Sequence, residues 1–202
     1  MRHRKHLVST ASAIAVFAVF APASGSAPPN GDCAAPQSGG PAANVFAGTP
    51  GADNYFGLGG NDRLFGRAGF DCLFGGNGRD VLRGGPGPDR LDGGAARDRL
   101  AGGTGDDVLR GGGGRDRLAG GRGDDLLLGG PGNDVVIGGP GNDQITVDAG
   151  RDTVRAGPGD DMIIANDGTR DRIFCGPGFD QVLRDPIDVT VGCEDVREVP
   201  FP

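Results

Sequence analysis

The sequence contains few of the side chains that enzymes use for catalysis. It has no tryptophan and one tyrosine among 202 residues. Both histidines, His3 and His6, and the single lysine, Lys5, lie at the N-terminus, and the last serine is Ser38. Beyond Ser38 there is no histidine base and no lysine or serine nucleophile, which excludes serine-hydrolase and zinc-protease chemistry. We predict that the protein is not an enzyme.

Aspartates remain as acid–base groups, and paired carboxylates cleave glycosides in many enzymes. A polysaccharide-modifying activity is therefore the enzymatic alternative. The scattered phenylalanines and Tyr55 offer little aromatic platform for a sugar ring, however. Glycine is abundant, at 42 residues, and composition alone would indicate a flexible low-complexity linker.

The glycines belong to a nine-residue unit that repeats from Gly48 to Ile164. The clearest copies read GGPGNDVVI at 129–137 and GGPGNDQIT at 138–146. Thirteen copies follow without a gap, and the eighth position of each is a large apolar or aromatic residue. A flexible linker would not keep such a residue at every eighth position, so the repeat predicts a folded structure. The sixth position is aspartate in every copy: Asp53, Asp62, Asp71, Asp80, Asp89, Asp98, Asp107, Asp116, Asp125, Asp134, Asp143, Asp152 and Asp161.

A period of nine fits neither an α-helix nor a simple hairpin alternation. Each unit instead divides into a six-residue turn, where glycine accepts positive φ, and a three-residue strand whose middle residue points inward. Two units close one flattened coil of eighteen residues, and coils stack at the strand spacing of about 4.8 Å. We predict an all-β fold, a parallel β-roll or β-solenoid with one thin apolar core.

Stacking places the aspartate of one unit beside the aspartate eighteen residues further on. These like charges repel unless a cation lies between them. Calcium fits because it takes six to eight oxygen ligands in flexible geometry, from carboxylates and from carbonyls such as these glycine turns expose, whereas magnesium demands a tighter octahedron. The sequence therefore predicts several Ca²⁺ ions held by the thirteen sixth-position aspartates. Seven odd and six even turns leave six and five gaps, so eleven ions is the upper bound for the regular array.

The repeat resembles the RTX nonapeptide GGxGxDxUx, in which U is a large apolar residue. The resemblance covers 48–164, and after a ten-residue unit at 165–174 a further near-repeat, CGPGFDQVL, follows at 175–183. It implies a hemolysin-type roll similar to small secreted bacterial calcium-binding proteins, which folds on extracellular calcium and has a structural or adhesive role. The alternative is a module whose flat strand faces bind a polysaccharide or a cell-surface partner.

The two kinds of turn differ at the fifth position. Turns of even-numbered units carry Arg79, Arg97, Arg115 and Arg151 there, whereas several odd turns carry aspartate. One interpretation is that the odd edge binds calcium best from 107 to 161 and that arginines offset the charge of the even edge. The other is that these arginines point to solvent and contribute little.

The N-terminus is typical of a secretory signal peptide. A basic start at 2–6 precedes a mainly apolar stretch at 7–20, and Ala21-Pro22-Ala23 supplies an A-x-A cleavage site. The stretch is too short to span a bilayer, so we predict cleavage near Ala23 and a secreted, extracellular protein without a membrane span. Removing 1–23 leaves 17 basic and 27 acidic residues, a net charge of −10, which disfavours nucleic acid as a partner.

Four cysteines, Cys33, Cys72, Cys175 and Cys193, allow three pairings in an oxidising compartment. Proximity in sequence favours Cys33–Cys72 and Cys175–Cys193, which would staple the two ends of the roll, where open strand edges need caps. The predicted organisation is a signal peptide at 1–23, an N-terminal segment or cap at 24–47, the calcium-binding roll at 48–183 and a C-terminal cap at 184–202.

Overall fold

A computed structural model describes residues 37–198, where the chain forms nineteen β-strands in two parallel sheets. Successive strands alternate between the sheets, so every odd-numbered strand lies in the first sheet. The first sheet contains β1 (Gln37–Ser38), β3 (Asn54–Phe56), β5 (Cys72–Asn77), β7 (Arg90–Ala95), β9 (Val108–Gly113), β11 (Leu126–Leu128), β13 (Gln144–Thr146), β15 (Met162–Ala165), β17 (Gln181–Arg184) and β19 (Asp195–Glu198).

The second sheet contains the even-numbered strands in the same axial order. They are β2 (Val45–Ala47), β4 (Arg63–Phe65), β6 (Val81–Pro86), β8 (Arg99–Thr104), β10 (Arg117–Arg122), β12 (Val135–Ile137), β14 (Thr153–Arg155), β16 (Arg172–Phe174) and β18 (Val189–Val191).

The register between neighbouring strands confirms the predicted coil of two units. Leu118 in β10 is paired with Leu100 in β8 on one side and with Val136 in β12 on the other, so each partner is eighteen residues away. Every pairing between named strands is parallel, with coil stacked on coil. The fold is the predicted β-roll.

The core is a single stack of eighth-position side chains between the sheets. A three-residue strand such as β12 buries its middle residue and leaves both neighbours partly exposed. The buried stack comprises Tyr55, Leu64, Leu73, Leu82, Leu91, Leu100, Leu109, Leu118, Leu127, Val136, Ile145, Val154 and Ile163. Ile173 and Val182 continue it beyond the regular repeat.

The turns keep one conformation even where the consensus glycine is missing. Gly103 and Gly105 have φ of 132° and 118°, in the left-handed region that glycine adopts without a Cβ clash. Leu58 and Arg67 replace a second-position glycine yet keep positive φ, and so does Ala96 at a fourth position. The irregular units therefore follow the same path as the regular ones, at some cost in backbone strain.

Both sheets continue past the segment predicted as the roll. In the N-terminal segment β1 pairs with β3 and β2 with β4, while in the C-terminal segment β18 pairs with β16 and β19 with β17. The predicted caps thus contribute strands to the two sheets. The part of the chain that the structure describes contains no helix long and apolar enough to cross a membrane.

A disulfide closes the C-terminal end, as the spacing predicted. Cys175 and Cys193 are joined, with 5.3 Å between their Cα atoms. Cys72 is also disulfide-bonded; its predicted partner, Cys33, lies outside the described residues, as does the predicted signal peptide.

Candidate metal centre

The sixth-position aspartates form two files, one along each edge of the roll. Each aspartate follows a turn and precedes a strand, so the eighteen-residue register places its side chain against the preceding coil. There the Oδ1 atom accepts a hydrogen bond from a backbone N–H: Asp89 donates to Asp107 at 2.7 Å, and Asp107 donates to Asp125 at 2.8 Å. One carboxylate oxygen in each file is thus part of the scaffold.

The second carboxylate oxygen, Oδ2, is buried and has no hydrogen-bond partner among the described residues. These aspartates are at most 2% exposed. An ionised oxygen sealed from water without a partner is strongly unfavourable, so a cation or a proton must accompany it. The twelve regular positions with such an Oδ2 are Asp62, Asp71, Asp80, Asp89, Asp98, Asp107, Asp116, Asp125, Asp134, Asp143, Asp152 and Asp161.

In the units that begin with glycine, this residue leaves open the space that the oxygen faces, whereas the units of Asp152 and Asp161 begin with the buried Val147 and Ala156. A Cβ built on Gly111 would lie 2.8 Å from Oδ2 of Asp116 and 2.5 Å from the carbonyl oxygen of Gly129, one coil further on. A carboxylate oxygen and a backbone carbonyl oxygen therefore converge where no side chain stands. An aspartate Oδ2 and a backbone carbonyl oxygen from the next coil likewise lie close to a Cβ built on Gly48, Gly57, Gly75, Gly93, Gly102 or Gly138.

Burial raises the pKa of the eleven sixth-position carboxyl groups from Asp71 to Asp161. It is the largest influence on Asp107 and Asp152, whose pKa values rise to about 8, and neighbouring carboxylates add to the effect while the N–H donated to Oδ1 opposes it. The pKa of Asp98 and of Asp143 rises to about 7 for the same reasons. No guanidinium group relieves the charge, because the ion pairs within 37–198 are Arg184–Glu198 and Arg197–Asp195.

This arrangement fits a hard divalent cation. Each gap between turns offers anionic and neutral oxygen ligands, and an ion there would neutralise carboxylates that otherwise repel each other. Calcium accepts such mixed oxygen ligands in irregular geometry, whereas magnesium requires a near-ideal octahedron.

A comparison with protein families agrees with this geometry. The family model described as the RTX calcium-binding nonapeptide repeat (4 copies) matches at 38–73, 47–82, 74–109, 92–127, 110–145, 137–170 and 146–182. The chain belongs to the RTX calcium-binding repeat family. Because the matches overlap, the RTX repeat spans nearly all of the described chain. A search of curated proteins finds no match.

One predicted ligand of the RTX array differs from the rest. Asp53 is partly exposed, and its Oδ2 accepts hydrogen bonds from the N–H and the hydroxyl of Thr49. The hydroxyl contact is 3.2 Å long. This first turn therefore satisfies its own carboxylate, unlike the twelve that follow.

Three aspartates outside the thirteen share the unpartnered Oδ2. Asp171 is the seventh residue of the ten-residue unit at 165–174, and Asp180 is the sixth residue of 175–183. Asp171 accepts the N–H of Asp152 and Asp180 accepts the N–H of Asp161, so each continues a file. Asp167 is the third, and it lies inside the ten-residue unit. The near-repeats at 165–183 allow Asp171 and Asp180 to be identified from the sequence, whereas Asp167 does not match the aspartate position of the nine-residue consensus.

The fifth-position arginines of the even edge point to solvent. Arg79, Arg97, Arg115 and Arg151 are exposed, and none forms an ion pair in the described part of the chain. The pKa of Asp98, on the same edge, is raised by burial, with no arginine among the influences that lower it. The stronger binding predicted for the odd edge remains a prediction.

Proposed function

We propose that this RTX chain is a secreted calcium-binding β-roll that folds when extracellular Ca²⁺ fills the gaps between stacked Gly–Asp turns, and that it has a structural or adhesive role. The observation that carries the proposal is the set of twelve buried, unpartnered Oδ2 atoms in the two files. Without cations these carboxylates oppose folding; with calcium they become ligands. The Cys175–Cys193 disulfide supports an oxidising destination, in line with the predicted signal peptide.

The thin core makes calcium decisive for stability. One apolar residue per nine points inward, which gives a small hydrophobic contribution for a chain of this size. A site filled at about 100 times its Kd adds about 2.7 kcal/mol to the folded state. Several such sites together exceed the net stability of most domains, about 5–15 kcal/mol. Calcium-poor conditions before export would therefore keep the chain unfolded, and millimolar extracellular calcium would fold it.

A calcium titration of the full chain tests the proposal. We expect far-UV circular dichroism to change from coil to β as calcium rises, with no equivalent change in magnesium. In equilibrium dialysis, Asp125→Asn combined with Asp143→Asn should bind at least one ion fewer than the parent, because these stacked residues share a gap. The matched control is Asp106→Asn combined with Asp124→Asn, which removes two exposed charges from the same edge. A chain that binds no calcium, or a control that loses as many ions as the double variant, contradicts the proposal.

A second candidate function rests on the outer face of the second sheet. The outward positions of its nine strands contain no aspartate or glutamate, although the whole chain has a net charge of −7. Arg99 and Arg117 stand side by side on paired strands. The exposed arginines of this face, here called the arginine face, are Arg63, Arg83, Arg99, Arg117, Arg155 and Arg172.

We infer that the arginine face binds an anionic polysaccharide, by charge complementarity along a flat, regular surface. Nucleic acid is a poorer fit, because base recognition by single-strand binders depends on free aromatic rings. Here the Phe65 ring lies 5.7 Å from the guanidinium carbon of Arg83, and the Phe174 ring lies 5.9 Å from that of Arg155. Both rings are thus covered by cations of the same face.

Heparin, as a sulfated polysaccharide, serves as the probe for this face. With calcium present, Arg99→Gln combined with Arg117→Gln should weaken heparin binding by about 1 kcal/mol, roughly fivefold, since exposed ion pairs contribute up to that much. Arg90→Gln combined with Arg110→Gln removes the same charge from two exposed positions of the first sheet and should leave binding unchanged. Equal losses in both variants, or tighter binding to single-stranded DNA than to heparin, would reject the polysaccharide assignment.

A further inference from the structure

The even edge ends in a carboxylate cluster that the regular repeat does not produce. Asp152, Asp167 and Asp171 each offer a carboxylate oxygen, and these three oxygens lie within 4.8 Å of one another. Asp152 and Asp171 are 2% and 0% exposed. The Oδ2 atoms of all three are buried without a hydrogen-bond partner. Asp167 is partly exposed as a residue, but the three Oδ2 atoms are buried, so the cluster differs from a solvated acidic patch.

Asp167 enters the cluster because of the ten-residue unit at 165–174. Asp167 lies four residues before Asp171. In a regular unit the residue four before the sixth-position aspartate is the second, and most regular units carry glycine there. Oδ1 of Asp167 accepts the N–H of Thr169 at 2.7 Å and the hydroxyl of Thr169 at 2.6 Å. The Thr169 hydroxyl oxygen also accepts the N–H of Gly150 in the preceding coil at 3.2 Å, and the Gly150 carbonyl oxygen is an alternative acceptor for its single hydrogen. The turn thus fixes one oxygen of Asp167 and leaves the other free.

The last coil holds this cluster in place with further carboxylates. Oδ1 of Asp188 accepts the N–H of Asp171, and Oδ2 of Asp185 accepts the N–H of Gly168. Behind them the Arg184 guanidinium donates to the carbonyl oxygens of Asp185 and Asp188 at 2.8 and 3.0 Å, which braces their turn. Arg184 therefore orders the cap without pairing with the three central carboxylates.

We propose that Asp167 completes a three-carboxylate calcium site with Asp152 and Asp171, which binds more tightly than the repeat sites and fills first. A regular gap draws its anionic ligands from the sixth positions alone, whereas this one gains a third carboxylate from a second position. Ligand charge is a main determinant of calcium affinity in proteins, so the additional anion favours earlier binding. Within 37–198 the odd edge has no such three-carboxylate cluster, and its file ends where Asp180 donates its N–H to Glu194.

If this site fills first, calcium binding along the even edge would start there. An ion there neutralises the carboxylates of the last full coil, next to the Cys175–Cys193 disulfide. The C-terminal end would then be ordered first, and each further ion would meet an already ordered neighbouring coil. The inference rests on the proposed calcium binding and adds a ranking of sites to it.

Isothermal titration of the full chain with calcium tests the ranking. The parent chain should show about one ion per chain that binds at least tenfold more tightly than the remainder. Asp167→Asn, which keeps an acceptor for Thr169, should abolish this first step while the later ones persist. Asp148→Asn is the matched control, since Asp148 occupies the second position of the preceding even unit but is exposed.

The outcomes separate the two proposals. A parent chain that binds no calcium overturns the proposed function and this site with it. A parent that binds calcium, with an Asp167→Asn variant that keeps the first step, overturns this site alone, as does an equal loss in Asp148→Asn. If Asp167→Asn fails to form β structure at saturating calcium, Asp167→Glu is the second variant, because it keeps the carboxylate. The Glu variant should show the tight first binding step if the charge binds the ion. A Glu variant without that step would show that Asp167 only shapes the turn.

Discussion

At about pH 8 and without calcium, we expect this chain to lack the β signal in far-UV circular dichroism, and we expect acidification to about pH 5 to restore it. The cause is the buried carboxyl groups. In the ion-free roll burial raises the pKa of Asp107 to about 8 and that of Asp98 to about 7, whereas an aspartate in an unfolded chain titrates at about 3.9. A proton can therefore replace calcium as the neutralising cation.

The sign of this pH dependence follows from the direction of the pKa changes. A carboxyl group with a raised pKa binds its proton more tightly in the folded state, so protonation favours folding. The contribution is complete below the unfolded value of about 3.9. It is lost as the pH rises through the folded pKa values, which run from about 6 at Asp71 to about 8 at Asp107. The metal-free roll is thus more stable in mild acid than at neutral pH, the reverse of common acid denaturation.

A neutral substitute for one buried carboxylate tests the cause. Asp107→Asn mimics the protonated form, so the midpoint pH of the metal-free transition should move upward. Asp106→Asn removes the exposed neighbouring charge and should move it much less. A metal-free chain with the same β signal at both pH values, or one that unfolds on acidification, would contradict the explanation.

The fold could be predicted from the sequence because its period leaves few alternatives. An invariant spacing of nine fixes an eighteen-residue coil, and the pairing of Leu118 with Leu100 and Val136 shows that register directly. The extent of the sheets was harder to predict. Val45–Ala47 and Val189–Val191 carry no Gly–Asp signature, and they form strands because an adjacent coil offers them an open sheet edge.

The candidate site was predicted as a set of residues, not as an arrangement of atoms. The sixth position identified the aspartates, but the division between a hydrogen-bonded Oδ1 and a free Oδ2 depends on backbone contacts between coils. Asp53 and Asp167 show the limit most clearly. Thr49 satisfies the first carboxylate through a local turn, and one additional residue at 165–174 brings the second to Asp152, fifteen positions away in the chain. A nine-residue consensus contains neither contact.

A side chain at Gly111 should clash, although the units at 147 and 156 begin with the buried residues Val147 and Ala156. We expect Gly111→Ala to remove one calcium ion and to lower the free energy of unfolding in saturating calcium by about 4–6 kcal/mol. The alanine Cβ would lie 2.5 Å from the Gly129 carbonyl oxygen and 2.8 Å from Oδ2 of Asp116. Gly129 directly follows β11, and its N–H is hydrogen-bonded to the carbonyl oxygen of Thr146 in the next coil, which restricts any backbone shift. Overpacking of this kind costs about 1–3 kcal/mol. The remaining loss of stability comes from the ion that no longer binds, about 2.7 kcal/mol for a site filled at about 100 times its Kd. Urea unfolding and equilibrium dialysis measure the two losses separately.

Gly113→Ala is the matched control, because Gly113 lies in the same turn and a Cβ there would meet nothing within 4 Å. Its φ is not in the left-handed region, so alanine should keep every ion and add about 0.4–1 kcal/mol by restricting the unfolded chain. Gly111→Ala and Gly113→Ala should therefore change stability in opposite directions although they lie two residues apart. If both variants are destabilised equally, the turn is sensitive to any substitution. If Gly111→Ala is destabilised but keeps its full complement of ions, the space in front of Gly111 is needed for packing and the ion lies elsewhere along the edge.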